Sequence, residues 1–330
     1  MKKIVYCVSL LLILLFGGSH AYGEGHGANF SVAPVLPDNQ IEDVSYFSVS
    51  PLSNKIQRIE VSVNNDSSKD ITVKCKVADA TTNDNGMPNY QQTDKKRDSS
   101  LVLGFSDIAH VVDPTVTVKA GESKKVTVEI KYPDKIEGTL LGGLTFEEVP
   151  GINSQKAGVT NRYLYSIAVK INGIKVVENK PLKLREVMPE QRNYRNYIEA
   201  NLQNPSHDII NSLNLKAVVT HLRSGTTYKS KSTNLKMVPN SNFNYGISLG
   251  ETPLKPGKYR FEISGFADGK SFSFQKSFYI STKVAKQNNK NAIISKNDNP
   301  FTRHSFIILL VVVITINISI GMKIWFKRKK

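Results

Sequence analysis

Residues 116–130, VTVKAGESKKVTVEI, decide the fold. Valines and one isoleucine alternate with threonine and charged side chains on both sides of Lys119-Ala120-Gly121-Glu122, whose composition is that of a turn. A period of two places apolar side chains on one face of a strand and polar ones on the other. The stretch therefore predicts two half-buried strands separated by a turn.

The same alternation recurs along most of the chain. Further runs occupy residues 59–63, 71–77, 140–146, 163–171 and 243–249. Short strands separated by Asn, Asp and Gly turns at intervals of about eight to twelve residues are typical of antiparallel sandwiches. We therefore predict an all-β protein of two immunoglobulin-like antiparallel β-sandwich domains, residues 29–150 and 155–282, followed by a C-terminal transmembrane helix.

Two local features refine this outline. Asn172-Gly173 is a two-residue hairpin signal before residues 174–177. Residues 190–197 are the best candidate for a short helix outside the two ends of the chain.

The two ends of the chain have the composition of membrane-directed segments. Residues 1–21 show the positive, apolar and small-residue order of a secretory signal peptide. Residues 305–326 form a largely apolar stretch long enough to span a bilayer, and the basic residues 327–330 predict a cytoplasmic tail. Residues 283–304 are Lys-, Asn- and Ser-rich, so we predict a flexible stalk. The expected location is the cell membrane, single-pass, with the N-terminal ectodomain outside.

Cysteine use points to the kind of organism. Removal of the signal peptide leaves Cys75 as a lone cysteine, so no intramolecular disulfide is expected. An exported protein without disulfides, rich in Lys and Asn, indicates a Gram-positive bacterium. Alternation places Cys75 on the core face of its strand with Ile71, Val73 and Val77.

Charge is divided unequally between the two halves. Residues 29–150 hold 13 basic and 18 acidic side chains, a net charge of −5, whereas residues 151–282 hold 19 and 8, a net charge of +11. Such asymmetry bears on partners rather than on fold. Anionic lipid headgroups and anionic wall polymers are candidate neighbours of the basic half, and nucleic acid is not expected as a partner of an exported protein.

No motif predicts catalysis, a metal or a cofactor. The histidines do not occur at metal-ligand spacing, and H-E-x-x-H, G-x-S-x-G and P-loop motifs are missing from the sequence. Ser273 and Lys276 form an S-x-x-K, but its usual companion motifs are missing. We therefore expect a binding protein rather than an enzyme.

Asn83-Asp84-Asn85-Gly86 could suggest a calcium loop. In the EF-hand register Thr81 would come first and Gln92 would hold the bidentate position, and neither suits calcium. A polar hairpin loop is the preferred interpretation.

Several segments in order carry a family resemblance. They are Asn29-Phe30-Ser31-Val32-Ala33-Pro34-Val35-Leu36-Pro37, Tyr46-Phe47, Ala80-Thr81-Thr82-Asn83 with Gly86 and Tyr90, Asp98-Ser99-Ser100-Leu101, and Gly142-Gly143-Leu144. With the closing helix and basic tail, they make the chain resemble the WxL-interacting protein family of Gram-positive cell surfaces. One departure is Pro51-Leu52-Ser53-Asn54, where members usually carry Pro-Gly.

The resemblance implies a scaffold rather than a catalyst. It implies that the first domain binds peptidoglycan and that the second binds WxL-domain surface proteins or host extracellular-matrix proteins. Asn83, Asn85 and Tyr90 are the candidate peptidoglycan contacts, because amides match sugar hydroxyls and acetamides and an aromatic ring can stack on a sugar. Two alternatives are a receptor for anionic wall polymers, acting through the basic second domain, and a cell-wall hydrolase or transpeptidase.

Overall fold

The computed structural model of the chain describes residues 28–150, 163–176 and 180–294. The predicted signal peptide (1–21), transmembrane helix (305–326) and cytoplasmic tail (327–330) lie outside these ranges. None of the helices within them combines the length and apolar character that crossing a bilayer requires. Apart from two short helices, the regular elements of the described part are all β-strands, which confirms the predicted all-β class.

Two sheets pack face to face in the first domain. One sheet contains, in spatial order, β1 (Phe30–Val35), β3 (Ile56–Asn65), β9 (Ser123–Lys131) and β7 (Ala109–Val111). The other contains β2 (Phe47–Val49), β11 (Leu164–Asn172), β10 (Thr139–Glu148), β4 (Ile71–Asp79) and β8 (Thr115–Val118). Neighbouring strands are antiparallel except β2 and β11, which run parallel.

Residues 116–130 form both predicted strands, but the two strands lie in opposite sheets. Strand β8 pairs with β4, whereas β9 pairs with β3 and β7. The turn between them, which includes Gly121 at φ +70°, carries the chain from one sheet to the other. The apolar residues of both strands are buried in one core, as the alternation predicts.

A second sandwich follows. One of its sheets contains β12 (Lys183–Arg192), β13 (Arg195–Asn204) and β16 (Ser241–Ser248). The other contains β15 (Thr227–Met237), β14 (Ile210–His221), β17 (Gly257–Ala267) and β18 (Lys270–Ile280). Its separate core includes the fully buried aromatic side chains of Phe243, Tyr259 and Phe261.

Strand β11 lies within residues 155–282, the predicted second domain. It pairs with β10 and β2, so it completes a sheet of the first sandwich. The pairing aligns apolar residues, with Leu140 opposite Ile171 and Leu144 opposite Ile167, and all four are buried. Asn172-Gly173 consequently forms no hairpin: Gly173 donates its N–H to the carbonyl of Gly138 instead.

The predicted short helix at 190–197 is also wrong. Residues 190–197 form the end of a β-hairpin between β12 and β13. Its two-residue turn is Asn193-Tyr194, with φ of 48° and 59°. Two successive positive φ values match the right-handed twist of the flanking strands, and asparagine tolerates this conformation.

The expected stalk is a helix over part of its length. Helix α2 spans Thr282–Asn291 and is capped by Ser281, whose hydroxyl accepts a hydrogen bond from the N–H of Val284. The side chain of Asn289 bonds both the N–H and the carbonyl of Leu254, and Ala285 is buried in the second core. These contacts fix residues 282–291 to the second sandwich, which corrects the prediction of a flexible segment from residue 283.

The two sandwiches meet at a hydrogen-bonded junction. The hydroxyl of Thr82 lies 2.7 Å from that of Ser241 and accepts the N–H of Val238. The N–H of Thr139 donates to the carbonyl of His207 at 2.9 Å. Ala80, Leu141 and Val238 form a small apolar cluster beneath these bonds, and Tyr90 and Ile209 pack against it.

Candidate functional site

The long segment between β4 and β10 includes a loop that covers the outer face of the first domain. This cover loop, residues 80–104, contains the hairpin of β5 (Thr81–Thr82) and β6 (Pro88–Asn89) and leads into the short helix α1 (Phe105–Ile108). It leaves room for two clefts, one at the domain junction and one above the strands of the sheet.

Two adjacent glycines in β10 let the chain pack on both faces of the sheet. A Cβ on Gly142 would lie 1.9 Å from the ring of Phe105 on the core side. A Cβ on Gly143 would lie 2.1 Å from the carbonyl oxygen of Tyr90 on the outer side. The Gly142-Gly143 pair is therefore needed for the cover loop to lie directly on the sheet.

Arg97 ties the cover loop to the elements on either side of it, β4 and α1. Its guanidinium contacts Asp79 at the end of β4 at 2.8 Å and Asp107 in α1 at 2.7 Å. The hydrogen bonds from Arg97 hold the pKa of the Asp107 carboxyl below its ordinary value, and those of Asp107 raise the pKa of Arg97. Because two carboxylates compensate this cation, Arg97 is a structural clamp rather than an anion site.

Asp98 joins the cover loop to the second domain. Its carboxylate, only 3% exposed, accepts hydrogen bonds from the side chains of Gln203 at 2.7 Å and Asn242 at 2.5 Å. Ser100 donates to it from within the loop through both its N–H and its hydroxyl. Burial raises the pKa of Asp98, but these hydrogen bonds outweigh burial and leave the pKa below its ordinary value.

The junction cleft lies beside Asp98 and has a volume of about 210 Å³. Its walls are the end of β4, residues 92–98 of the cover loop, and residues 240–242 of the second domain. Lys95 pairs with Asp84 at 2.7 Å. Lys96 forms no ion pair with any residue that the structure describes, so it supplies the cleft's uncompensated charge.

The outer cleft lies above β4, β10 and β11 and has a volume of about 180 Å³. Lys74 and Lys76 project into it from β4, Thr145 from β10, and Gln91 and Gln92 from the cover loop. Gln92 also lines the junction cleft, so the two clefts adjoin. Glu147, Asp94 and Leu164 complete the lining.

The outer cleft is suited to binding a polar ligand that offers both carboxylates and hydrogen-bonding groups, because its lining combines two lysines with two acidic side chains, Asp94 and Glu147. Neither Lys74 nor Lys76 makes an ion pair with another described residue, and ammonium groups without a partner can donate to carboxylates. The amides of Gln91 and Gln92 and the hydroxyl of Thr145 add neutral donors and acceptors.

Neither a metal-binding cluster nor a reactive thiol is found in the described part of the chain. No cluster of three or more His, Cys, Asp or Glu side chains within it could hold a metal ion. Cys75 is buried in the core, as predicted, and burial raises its pKa to about 12. A thiol with that pKa is protonated at neutral pH and is not a nucleophile.

The structure places the three predicted contact residues outside both clefts. The side-chain oxygen of Asn83 accepts the N–H groups of Asn85 and Met87, so Asn83 stabilises the predicted polar hairpin loop. Asn85 is exposed at the tip of that loop. Tyr90 is half-buried at the junction, and burial raises its pKa. No finding tests their role in binding, which stays a prediction.

The cleft residues follow partly from a pattern that the sequence displays. Lys74 and Lys76 occupy the outward positions of a strand whose inward positions are Val73, Cys75 and Val77. Two successive lysines on one exposed strand face are therefore the sequence signal that points to this cleft. The sequence has no comparable signal for Gln91 and Gln92, because their position depends on how the cover loop folds back.

Two family models match the chain. The peptidoglycan binding domain of WxL Interacting Protein matches residues 30–148, and the host binding domain of WxL Interacting Protein matches residues 154–290. No curated protein matches the chain.

Similar solved structures include several fimbrial chaperones. The Pseudomonas aeruginosa CupB2 chaperone is 11% identical, with 72% of this chain and 100% of that chain covered and a TM-score of 0.30. The E. coli chaperone DraB is 13% identical, with 76% and 97% covered and a TM-score of 0.28. A chain of the CsuC-CsuE chaperone-tip adhesion subunit complex from Acinetobacter baumannii is 14% identical, with 66% and 90% covered and a TM-score of 0.32. These TM-scores are too low to support an inference.

Proposed function

Because the chain belongs to the WxL Interacting Protein family, we propose that it is a non-catalytic cell-surface protein whose first domain binds peptidoglycan through the outer cleft. The carrying observation is that Lys74 and Lys76, which form no ion pair with a described residue, lie in a polar cleft within the region that matches the peptidoglycan-binding model.

The chemistry of the cleft supports this ligand. Peptidoglycan offers hydroxyl and acetamide groups on its sugars and carboxylates on its stem peptides. The two lysines would bind a carboxylate, and Gln91, Gln92 and Thr145 would pair with amide and hydroxyl groups. Electrostatic complementarity of this kind gives specificity and a faster association rate more than raw affinity.

The second domain, we propose, binds a protein partner, either a WxL-domain surface protein or a host extracellular-matrix protein. The match of residues 154–290 to the host binding domain supports this role. Surface plasmon resonance of the full chain against a purified WxL-domain protein and a purified matrix protein tests it. Absence of saturable binding to both would refute this part of the proposal.

The sequence supports a surface location. We propose export followed by single-pass anchoring, which is supported by the signal-like residues 1–21, the apolar residues 305–326 and the basic residues 327–330. Protease treatment of intact cells tests this orientation. Digestion of the domains with retention of a short membrane-bound C-terminal fragment is expected, and full protection of the domains would contradict it.

The peptidoglycan assignment is tested with purified wall sacs freed of proteins and other polymers. The full chain in detergent solution should sediment with sacs, and Lys74→Gln/Lys76→Gln should sediment much less. Lys124→Gln/Lys131→Gln is the matched control, since both lysines are exposed on β9 in the opposite sheet and form no ion pair with a described residue. Equal losses in both variants would reduce the effect to net charge, and loss in neither would rule out the cleft.

A further inference from the structure

The outer face of the four-stranded sheet in the second domain is strongly basic. Its exposed cations are Lys229 and Lys231 on β15, Lys216 on β14, and Lys258 and Arg260 on β17. Glu262 is the one acidic side chain that the four strands β14, β15, β17 and β18 direct to this face. None of these six groups forms an ion pair with a described residue.

Two of the lysines face each other across neighbouring strands. Lys216 is directly opposite Lys231 in the register of β14 and β15. Like charges in this position destabilise a sheet. Charged side chains often protect edge strands from aggregation, but Lys216, Lys258 and Arg260 belong to the two inner strands. Edge protection therefore does not account for this cluster.

The lysine pair borders a shallow depression of about 290 Å³. A Cβ on Gly265 would lie 1.9 Å from the carbonyl oxygen of Asn214, so only glycine lets β17 lie this close to β14. Phe266, 55% exposed, forms part of the lining together with Lys216, Lys231, Thr233 and Ser264. The depression thus combines an accessible aromatic ring, two cations and hydroxyl groups.

We propose that this face is a second binding site, which takes a linear acidic polysaccharide whose sugar rings themselves carry sulfate or carboxylate groups. Phe266 would stack on one sugar ring, and Lys216 and Lys231 would hold that ring's anionic group. Thr233 and Ser264 would bond sugar hydroxyls. This site lies on the second domain, and the proposal does not depend on the peptidoglycan cleft of the first.

The arrangement of charge favours a polymer over a small anion. From Ser264 to Lys258 the strand β17 advances about 20 Å at ~3.4 Å per residue, and Arg260 and Lys258 continue the basic strip beyond the depression. An extended polyanion could contact the lysine pair and these two cations together. The aromatic ring beside the lysines favours anions borne on a sugar ring over anions in a phosphodiester backbone, which would leave Phe266 without a partner.

Fluorescence anisotropy with a labelled heparin octasaccharide tests the site, using the full chain in detergent solution. We expect saturable binding that weakens steeply as salt is raised. Lys216→Gln/Lys231→Gln should weaken it by on the order of tenfold to a hundredfold, as loss of two charge-assisted contacts predicts. Phe266→Ala should also weaken it, whereas Phe266→Tyr, which keeps the ring, should retain it.

The control variant Lys124→Gln/Lys131→Gln removes the same charge from the first domain and should leave octasaccharide binding nearly unchanged. An equal loss in this control would overturn the site in favour of general charge attraction. Tighter binding of linear inorganic polyphosphate than of the octasaccharide, unaffected by Phe266→Ala, would overturn the choice of polysaccharide in favour of a phosphate polymer. Unchanged affinity of Lys74→Gln/Lys76→Gln for the octasaccharide would keep this result separate from the peptidoglycan assignment.

Discussion

Replacement of Asp98 by alanine should loosen the cover loop and the domain junction. The carboxylate is 3% exposed and accepts hydrogen bonds from the side chains of Gln203 and Asn242 in the second domain. A hydrogen bond to a charged group contributes ~1.5–3 kcal/mol. Two such bonds would give about 3–6 kcal/mol, and water entering from the adjacent junction cleft should recover part of this. We expect a net loss of about 3 kcal/mol in the free energy of unfolding.

Urea-induced unfolding, followed by circular dichroism, measures this loss. With a slope of ~2 kcal/mol/M, typical of a small domain, the first transition should shift down by about 1.5 M. Asp113→Ala is the matched control, because Asp113 is exposed, and it should change stability by no more than about 0.5 kcal/mol. Hydrogen exchange should also accelerate in residues 92–104. A midpoint equal to that of the control would refute the assignment of Asp98 as the junction lock.

Three further outcomes follow from the same structure. Because the pKa of Asp98 is depressed in the folded protein, the contribution of Asp98 to stability is complete above the unfolded pKa of ~3.9 and is lost as pH falls through the lower folded value. The difference in unfolding free energy between the wild-type protein and Asp98→Ala, measured by urea titration, should therefore be constant from about pH 5 to 8 and shrink below about pH 4. A difference that shrinks near neutral pH would contradict this. Gly143→Ala should lower the free energy of unfolding by about 1–3 kcal/mol, and with it the melting temperature, because the added methyl overlaps the Tyr90 carbonyl oxygen. Gly225→Ser should cost less, because a Cβ at Gly225 would meet no atom within 4 Å and only the positive φ of +68° opposes the substitution. Cys75, whose pKa is raised to about 12, should resist a thiol reagent at pH 8 until urea unfolds the first domain, and rapid labelling of the native protein would show that the core is open.

The strand pattern of the sequence was sufficient for the fold class but not for the pairing of strands. Alternation identified β8 and β9, yet their assignment to opposite sheets depends on which partners, β4 and β3, bury their apolar faces. Strand β11 shows the same limit: its apolar face is evident from residues 163–171, but nothing local specifies that the chain returns to β10. Long-range pairing decides such cases, and periodicity carries no information about it.

Polar segments were predicted less well, since tertiary contacts override their local preferences. Residues 282–291 have the composition of a flexible segment but form a helix because Asn289 and Ala285 dock on the second sandwich. Residues 190–197 lack strong strand character, and the turn at Asn193-Tyr194 forms because β12 and β13 pair over a buried core.

The candidate site was predictable only in part. Outward lysines at positions 74 and 76 follow directly from alternation in β4. The neighbouring Gln91 and Gln92 reach the cleft because the cover loop packs its Tyr90 backbone on Gly143, a contact between residues far apart in sequence. The preference for Asn83 was based on residue chemistry alone, and the structure gives its side chain a local hairpin role.

The most direct test of peptidoglycan binding at the outer cleft is isothermal titration calorimetry of the full chain with a soluble peptidoglycan fragment that carries its stem peptide. Saturable binding is predicted for the wild-type protein and for Lys124→Gln/Lys131→Gln, with an affinity at least about tenfold lower for Lys74→Gln/Lys76→Gln. Equal affinities of all three proteins, or no heat of binding with the wild-type protein, would contradict the assignment of the outer cleft.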